Sequence, residues 1–227
     1  MNPSRALVVV AHPDDEAWLF GGTIATWTAR GVAVRVLCLT AGEKGGDRRG
    51  LVVGDDELAA LRRGELDASC AALGAQGHCA GLPDGGLAMF PVERGEAVVT
   101  EQIESFAPDL ILTHGPLGEY GHLDHIAAHT WTRAASVPVW VPALPSALMY
   151  PVWRRLRRVG FDGVRNGLSE AALHTTPSAS IPLAAAASAA KGAAVAAHAS
   201  QLRDGEISSF LLPGLLDGLL HEELYAC

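Results

Sequence analysis

Two short clusters of histidine and acidic residues carry the side chains best suited to chemistry in this chain. The first cluster, His12-Pro13-Asp14-Asp15, directly follows the apolar run at 8–10. The second cluster, Gly118-Glu119-Tyr120-Gly121-His122-Leu123-Asp124-His125, lies more than a hundred residues downstream. Imidazole and carboxylate groups are typical ligands of a catalytic zinc ion that keeps one position open for water. The two clusters therefore predict a metal site that activates water.

The expected metal ligands come from both clusters. His12 and Asp15 are three residues apart across a tight turn, so both can face one ion, and His125 is the expected third ligand. Zn²⁺ suits this set, although nitrogen and oxygen ligands also accept Fe²⁺ or Co²⁺. An alternative site on one helix face consists of His122, His125 and His129, but it leaves the first cluster without a role.

The remaining polar residues of the clusters suggest how a water molecule would be used. Asp14 lies beside a ligand but is expected to point elsewhere, which suits the general base that takes the proton of the water. His122, held protonated, is the expected acid or oxyanion-stabilising group. Asp124 is expected to orient His122 or another imidazole.

Alternating strand and helix patterns are expected to position these clusters. Strands are predicted at 6–11, 32–40, 79–82 and 110–113, and helices at 18–30, 58–73, 97–106, from the second cluster to about 135, and at 183–202. This alternation predicts a doubly wound, mostly parallel (Rossmann-like) α/β sheet flanked by helices, in a single domain spanning 1–227. Both clusters then follow strands, at the sheet edge where such folds bind ligands.

Composition excludes several classes of protein. The chain has 227 residues, 49% of them hydrophobic, and a formal net charge of −8, which argues against nucleic acid as a partner. The most apolar stretch, 182–199, is alanine-rich and interrupted by Ser188 and Lys191, so no integral membrane segment is expected. The four cysteines form no CxxC pair and no signal-peptide pattern is visible, which favours a cytoplasmic protein.

Three features have two interpretations each. The loop at 41–56 is either a lid over the substrate or a solvated surface loop. The basic run at 154–158 is either a solvated helix face or a site for phosphate or anionic lipid. Trp131, Trp140 and Trp153 belong either to the core or to the interface of a homo-oligomer.

The two clusters also resemble a known family. Ala-His-Pro-Asp-Asp-Glu at 11–16 and Gly-His-Leu-Asp-His at 121–125 are similar to the motifs of the LmbE-like (PIG-L) zinc de-N-acetylases, and the stretches at 39–46, 62–66 and 191–201 resemble the same family. Members remove the N-acetyl group from N-acetylglucosamine-type sugars. The resemblance implies zinc ligation by His12, Asp15 and His125, with Asp14 as the base and His122 as the acid.

The resemblance also implies residues that meet the substrate. Tyr120 matches a tyrosine that closes over the carbonyl in some members, and Arg62 and Asp84 match positions that touch sugar hydroxyls. His198 matches a histidine of the C-terminal helix and is expected among the substrate-binding residues. Leu123 stands where many members carry proline, which is expected to change the stiffness of the loop more than the ligation.

The implied function is a zinc-dependent hydrolase that uses a metal-activated water to remove the N-acetyl group from a small amino-sugar conjugate. Two alternatives stay open: an amidase acting on a larger thiol-type or antibiotic-type conjugate, and a metal-dependent sugar-binding protein without turnover. A nucleotide-binding α/β protein is disfavoured because neither GxGxxG nor a P-loop follows the first strand.

Overall fold

The sheet is the element that brings the two clusters together. The computed structural model describes residues 3–52, 54–159, 175–207 and 219–227. Their strands form one seven-stranded sheet in the order β3-β2-β1-β4-β5-β7-β6. The strands are β1 (Arg5–Val10), β2 (Ala33–Thr40), β3 (Gln76–Leu82), β4 (Leu110–Thr113), β5 (Val139–Pro142), β6 (Ala179–Pro182) and β7 (Glu222–Ala226).

The first five strands are parallel, and β7 is antiparallel to both β5 and β6. Helices pack on this sheet, as predicted: α1 (Asp15–Thr28), α2 (Asp55–Leu73), α3 (Val92–Phe106), α4 (Gly118–Gly121), α5 (Leu123–Thr132), α6 (Ser146–Val159) and α7 (Ala185–Ala197). The predicted α/β class with a mostly parallel sheet is therefore confirmed. The predicted domain, 1–227, also includes 160–174 and 208–218, which lie outside the described residues.

Two apolar layers cover the faces of the sheet. Alternate residues of β1 point to opposite faces, because side chains alternate along a strand. Ala6 and Val8 pack with the layer of α1, α2 and α7, whereas Leu7 and Val9 pack with that of α3 and α5. All six residues from Ala6 to Ala11 have no exposed surface. This burial on both faces makes β1 a rigid support for the residues that follow it.

The register of the central strands places both clusters at one edge. β1 pairs with β4 so that Val9 lies opposite Thr113. His114 and the second cluster follow β4, and the first cluster follows β1. The expectation that these two strand ends are neighbours is met.

Several boundaries differ from the predicted ones. Helix α3 begins at Val92 rather than at 97, and α7 ends at Ala197, with separate 3₁₀ turns at Ala199–Gln201 and Arg203–Gly205. The first part of helix α6, which contains Pro151, was not predicted, whereas its last part is the basic run at 154–158, for which a helix face was one of the two interpretations. Among the described residues, no helix has the length and apolarity needed to cross a membrane.

The three tryptophans that were expected either in the core or at an oligomer interface belong to the core. Trp131, Trp140 and Trp153 are each at most 8% exposed within the single chain. They are packed inside the chain and do not present a surface to a second copy.

A buried ion pair ties β7 to the helices. The ammonium of Lys191 in α7 lies 2.5 Å from Oε1 of Glu223 in β7. The same carboxylate accepts the backbone N–H groups of Gly22 and Thr23 in α1 at 2.9 and 2.8 Å, and the hydroxyl of Tyr225 at 2.9 Å. One side chain thus joins three elements. Removing its cation would leave a buried charge without compensation.

Candidate active site

The turn between β1 and α1 holds an unusual backbone conformation. Asp14 has a φ of 119°, a backbone conformation that residues other than glycine rarely adopt. The carboxylate of Glu16 accepts the backbone N–H of Asp14 at 3.0 Å, and the guanidinium of Arg62 donates to the carbonyl of Pro13 and, at 3.0 Å, to the carboxylate of Asp14. Such strain persists only where the surroundings over-determine it, and it is common at functional sites.

The three predicted metal ligands meet at one point. Nδ1 of His12 lies 3.3 Å from Oδ2 of Asp15 and 3.3 Å from Nε2 of His125, and the last two atoms are 3.4 Å apart. A tetrahedral zinc ion with bonds of about 2.0–2.1 Å places its ligand atoms roughly 3.3–3.4 Å apart. The donor atoms therefore form a triangle of the size that one such ion requires.

The outer nitrogen of His12 is held by two carboxylates. Its Nε2 lies 3.2 Å from Oδ1 of Asp84 and 3.4 Å from Oδ2 of Asp124. Asp124 is fixed in turn by the backbone N–H groups of Gly85 and Leu87, at 2.8 and 3.0 Å. A carboxylate behind a ligating histidine fixes the tautomer that directs the other nitrogen at the metal. Asp124 thus faces the imidazole of His12 rather than that of His122.

The outer nitrogen of His125 is held by Glu119, a residue of the second cluster for which no role was predicted. Oε2 of Glu119 accepts from Nδ1 of His125 at 2.7 Å and from Nδ1 of His114 at 2.9 Å, while Oε1 accepts the N–H of Gly115 at 2.8 Å. Burial raises the pKa of this carboxyl, but His114 and His125 outweigh it and hold the pKa at about 2. Glu119 is therefore ionised behind the ligand.

His114 was also missed, although a signal for it existed. It is the first residue after β4, in the same relation to its strand that the first cluster has to β1. Its Nε2 lies 3.4 Å from Oδ2 of Asp15, which makes it a second candidate ligand beside His125. However, the backbone N–H of Ala11 donates to this nitrogen at 3.1 Å, which occupies its lone pair. His12, Asp15 and His125 form the triangle described above, and His122 also belongs to a group of potential ligands with His12 and His125.

The alternative site on one helix face is not assembled. His129 donates from Nδ1 to the carbonyl of His114 at 2.9 Å. It belongs to none of the groups of potential ligands that the described residues form. His129 thus supports the loop after β4.

Asp14 is accessible from the cavity, and the pKa of its carboxyl is raised. Its carboxyl lines the cavity beside Asp15. Burial raises its pKa, Arg62 lowers it and the charge of Asp15 raises it, with a result of about 6. A carboxylate with a pKa near the working pH is suited to accept and return a proton.

His122 differs from the protonated group that the sequence predicted. Its Nδ1 accepts the backbone N–H of Asp124 at 3.3 Å, and its ring stacks on that of His125 with centroids 4.6 Å apart. Burial and the neighbouring His125 and His12 lower its pKa to about 3. The ring is therefore neutral, with its proton on Nε2, and it can donate a hydrogen bond rather than a full charge.

A cavity of about 450 Å³ opens over these groups, within the range of small-molecule sites. Tyr120, Arg62 and Asp84, three residues expected to meet the substrate, all line it. Arg62 is only 3% exposed, and its two terminal nitrogens donate to the carbonyls of Gly42 and Pro13 and to the carboxylate of Asp14. It therefore supports the turn that carries the base, in addition to forming part of the cavity wall.

His198 lies behind the cavity rather than in its wall. It is fully buried, and its Nε2 bonds to Oε1 of Glu16 at 2.7 Å. Because Glu16 holds the backbone of Asp14, His198 acts on the turn through Glu16. This position does not fit the substrate contact expected from the resemblance.

The loop at 41–56 is anchored at several points. The N–H of Arg48 donates to the carbonyl of Ser200 at 2.8 Å, and the amide of Gln201 donates to the carbonyl of Gly46 at 2.9 Å. Gly42 has φ +68°, and the guanidinium of Arg62 occupies the space that a side chain would need there. The described part of this loop is therefore a fixed wall of the cavity rather than a free lid.

The chain is similar in sequence to a family of known proteins. The family model "PIG-L: GlcNAc-PI de-N-acetylase" matches residues 7–136. A "1D-myo-inositol 2-acetamido-2-deoxy-alpha-D-glucopyranoside deacetylase" of Mycolicibacterium gilvum is 40% identical over 156 residues, which cover 60% of this chain and 55% of the relative. The match thus spans little more than half the length of that relative.

Two solved structures share the fold at low sequence identity. The N,N'-diacetylchitobiose deacetylase of Pyrococcus horikoshii has a TM-score of 0.66 and 20% identity, covering 99% of this chain and 84% of its own. The 4-carboxy-2-hydroxymuconate hydratase of Pseudomonas putida KT2440 has a TM-score of 0.63 and 22% identity, covering 87% and 80%. These likenesses show the fold alone. Because the family model matches more than half of its residues, the chain belongs to the PIG-L family.

Proposed function

We propose that the protein is a zinc-dependent N-deacetylase that removes the acetyl group from an N-acetylglucosamine-type conjugate. The observation that supports this most is the triangle of donor atoms from His12, Asp15 and His125, with sides of 3.3–3.4 Å, beside the carboxylate of Asp14. The same donors also accept Fe²⁺ or Co²⁺. The family and the names of the relatives support the amino-sugar substrate.

The chain's own residues supply the proton transfers. A zinc ion bound here would supply a Lewis acid that polarises the acetyl carbonyl and lowers the pKa of water to about 7. Asp14 accepts the proton of the attacking water and returns it to the leaving nitrogen. Nε2–H of His122 donates to the developing oxyanion, and the hydroxyl of Tyr120, which also lines the cavity, closes over the same carbonyl.

The fold does not determine this reaction by itself, because one fold carries many functions. The hydratase with this fold illustrates the point, since the reaction in its name breaks no amide bond. The proposal therefore depends on the site and on the family. A larger conjugate, or binding without turnover, would use the same residues.

The test is release of primary amine and acetate from a panel of N-acetylglucosaminyl conjugates with inositol, malate, sugar and nucleotide aglycones. Zinc-loaded protein is expected to deacetylate at least one conjugate, and chelator-stripped protein none. Zinc bound in stoichiometric amount with no product from any conjugate would contradict the proposal.

We also propose a cytoplasmic location. Cys38, Cys70, Cys79 and Cys227 are all free thiols, as a reducing compartment leaves them.

A further inference from the structure

The charged residues that line the cavity differ in whether they have partners. Three are acidic. Asp15 and Asp84 lie 3.3 and 3.2 Å from the two nitrogens of His12, and Asp14 pairs with Arg62 at 3.0 Å. The acidic part of the wall is therefore committed to the metal site and the base.

Four cationic side chains line the same cavity, and two of them have partners. Arg62 is used by the turn that carries Asp14, and the ammonium of Lys44 pairs with Asp55. Arg48 and Arg155 form no ion pair with any carboxylate of the described residues. This is unexpected in a chain with 25 acidic and 17 basic residues, where acidic partners are abundant.

The backbone around Arg48 directs its side chain to the cavity. The N–H of Arg48 is fixed to the carbonyl of Ser200 at 2.8 Å. The next residue, Arg49, turns back to Asp47, with Nε 2.9 Å from Oδ1. Two consecutive arginines thus have different roles: Arg49 stabilises the loop, and Arg48 faces the cavity.

Arg155 approaches the same cavity from α6, next to Val152. Its neighbours on this helix are used otherwise, since the guanidinium of Arg154 lies 5.8 Å from the ring centre of Tyr150 and that of Arg157 lies 5.3 Å from that of Trp153. The basic run at 154–158 therefore contributes one arginine to the cavity wall.

We propose that Arg48 and Arg155 form a subsite for an anionic group, a carboxylate or a phosphate, on the part of the substrate beyond the N-acetyl sugar. This inference rests on the proposed function. A guanidinium offers a planar fork of donors that matches the oxygens of either group. The two guanidiniums come from a loop and a helix far apart in sequence and line one cavity. Their positive charges are not paired with a carboxylate of the described residues. The substrate named for the Mycolicibacterium gilvum relative carries a neutral inositol, so the subsite would distinguish this chain from it.

The test uses three N-acetylglucosaminides that differ only at the end of one short linker: a hydroxyl, a carboxylate and a phosphate. We expect kcat/KM for one anionic glycoside to exceed that for the neutral one by about tenfold, mainly through KM, as for one charge-assisted hydrogen bond. Comparison of the carboxylate with the phosphate identifies the group. Arg48→Gln and Arg155→Gln are each expected to reduce the ratio of anionic to neutral kcat/KM.

Matched controls are available beside each residue. Arg49→Gln and Arg154→Gln remove the same charge from residues that do not line the cavity, and they are expected to leave the ratio unchanged. Calorimetric binding of the three glycosides to zinc-loaded Asp14→Asn protein makes the same comparison without turnover. Equal affinity for all three glycosides would overturn the proposed subsite even if deacetylation is observed. So would a preference for an anionic glycoside that persists when Arg48→Gln and Arg155→Gln are combined. A preference in binding together with no release of acetate by the zinc-loaded, unsubstituted protein would instead contradict the proposed function.

Discussion

Replacing Glu119 by glutamine tests whether the metal centre depends on the carboxylate behind its histidines. The carboxylate of Glu119 accepts three hydrogen bonds, from Nδ1 of His125, Nδ1 of His114 and the N–H of Gly115, at 2.7, 2.9 and 2.8 Å. A glutamine amide has one oxygen and one NH₂ group. In either orientation its NH₂ meets at least one of these donors, so one bond is replaced by a donor-to-donor contact.

The magnitude follows from what His125 loses. In the wild-type protein the carboxylate of Glu119 orients the ring of His125 and raises its basicity. In the variant, Nδ1 of His125 faces either a neutral amide oxygen or an NH₂ group. Loss of such an outer partner typically weakens metal binding by about 10–100-fold. This corresponds to roughly 1.4–2.7 kcal/mol of binding free energy.

The assay is the zinc dissociation constant from competition with a chromophoric chelator, measured together with the thermal midpoint. Glu223→Gln is the matched control, since it also replaces a buried carboxylate that accepts backbone N–H groups, but at β7. That control is expected to lower the thermal midpoint and leave zinc affinity unchanged. Unchanged zinc affinity in a folded Glu119→Gln protein would refute the role assigned to Glu119.

Three further predictions concern the base and the buried ion pair. Asp14→Asn is expected to bind zinc normally and to lose roughly 10²–10⁴-fold in kcat, because a general base is removed. Metal analysis checks the zinc content and steady-state kinetics checks kcat. A near-normal kcat would exclude Asp14 as the base. Because the pKa of Asp14 is raised to about 6 and the base must be ionised, kcat/KM is expected to rise with pH through about 6 and to fall on acidification. If kcat/KM of the Asp14→Asn protein also fell below the same pH, the titrating group would be a residue other than Asp14. Lys191→Ala is expected to lower the free energy of unfolding by about 3–5 kcal/mol in urea titrations, since it leaves Glu223 buried without its cation. Lys44→Ala, the only other lysine, removes an exposed pair and is expected to have little effect on unfolding.

Much of the parallel sheet could be predicted from local pattern. The run 8–10 followed at once by His12 predicted a buried strand that ends at a site, and β1 has no exposed surface from Ala6 to Val10. The strand predicted at 110–113 has the observed bounds of β4. Since parallel strands share a carboxyl edge, the meeting of the two clusters followed from these two strands.

Other features depend on contacts that no local pattern contains. The antiparallel pairing of β7 between β5 and β6 joins segments about 80 residues apart in sequence, between Pro142 and Glu222. Glu119 lies between two glycines of the short helix α4 with a non-helical φ of 56°, and its carboxylate bonds to the imidazoles of His114 and His125. The neutral state of His122 likewise depends on burial beside His12 and His125, which only the folded chain creates.

The place of β7 in the sheet also affects how the chain folds during synthesis. The last of the seven strands to leave the ribosome lies inside the sheet, so β5 and β6 keep open edges until it arrives. At about 5–20 residues per second, the roughly 80 residues between β5 and β7 take about 4–16 s to synthesise. The proposed metal ligands, all made by residue 125, are by then available to an ion. Because open strand edges promote aggregation, this interval is where chaperones or early metal binding would have the greatest effect on yield.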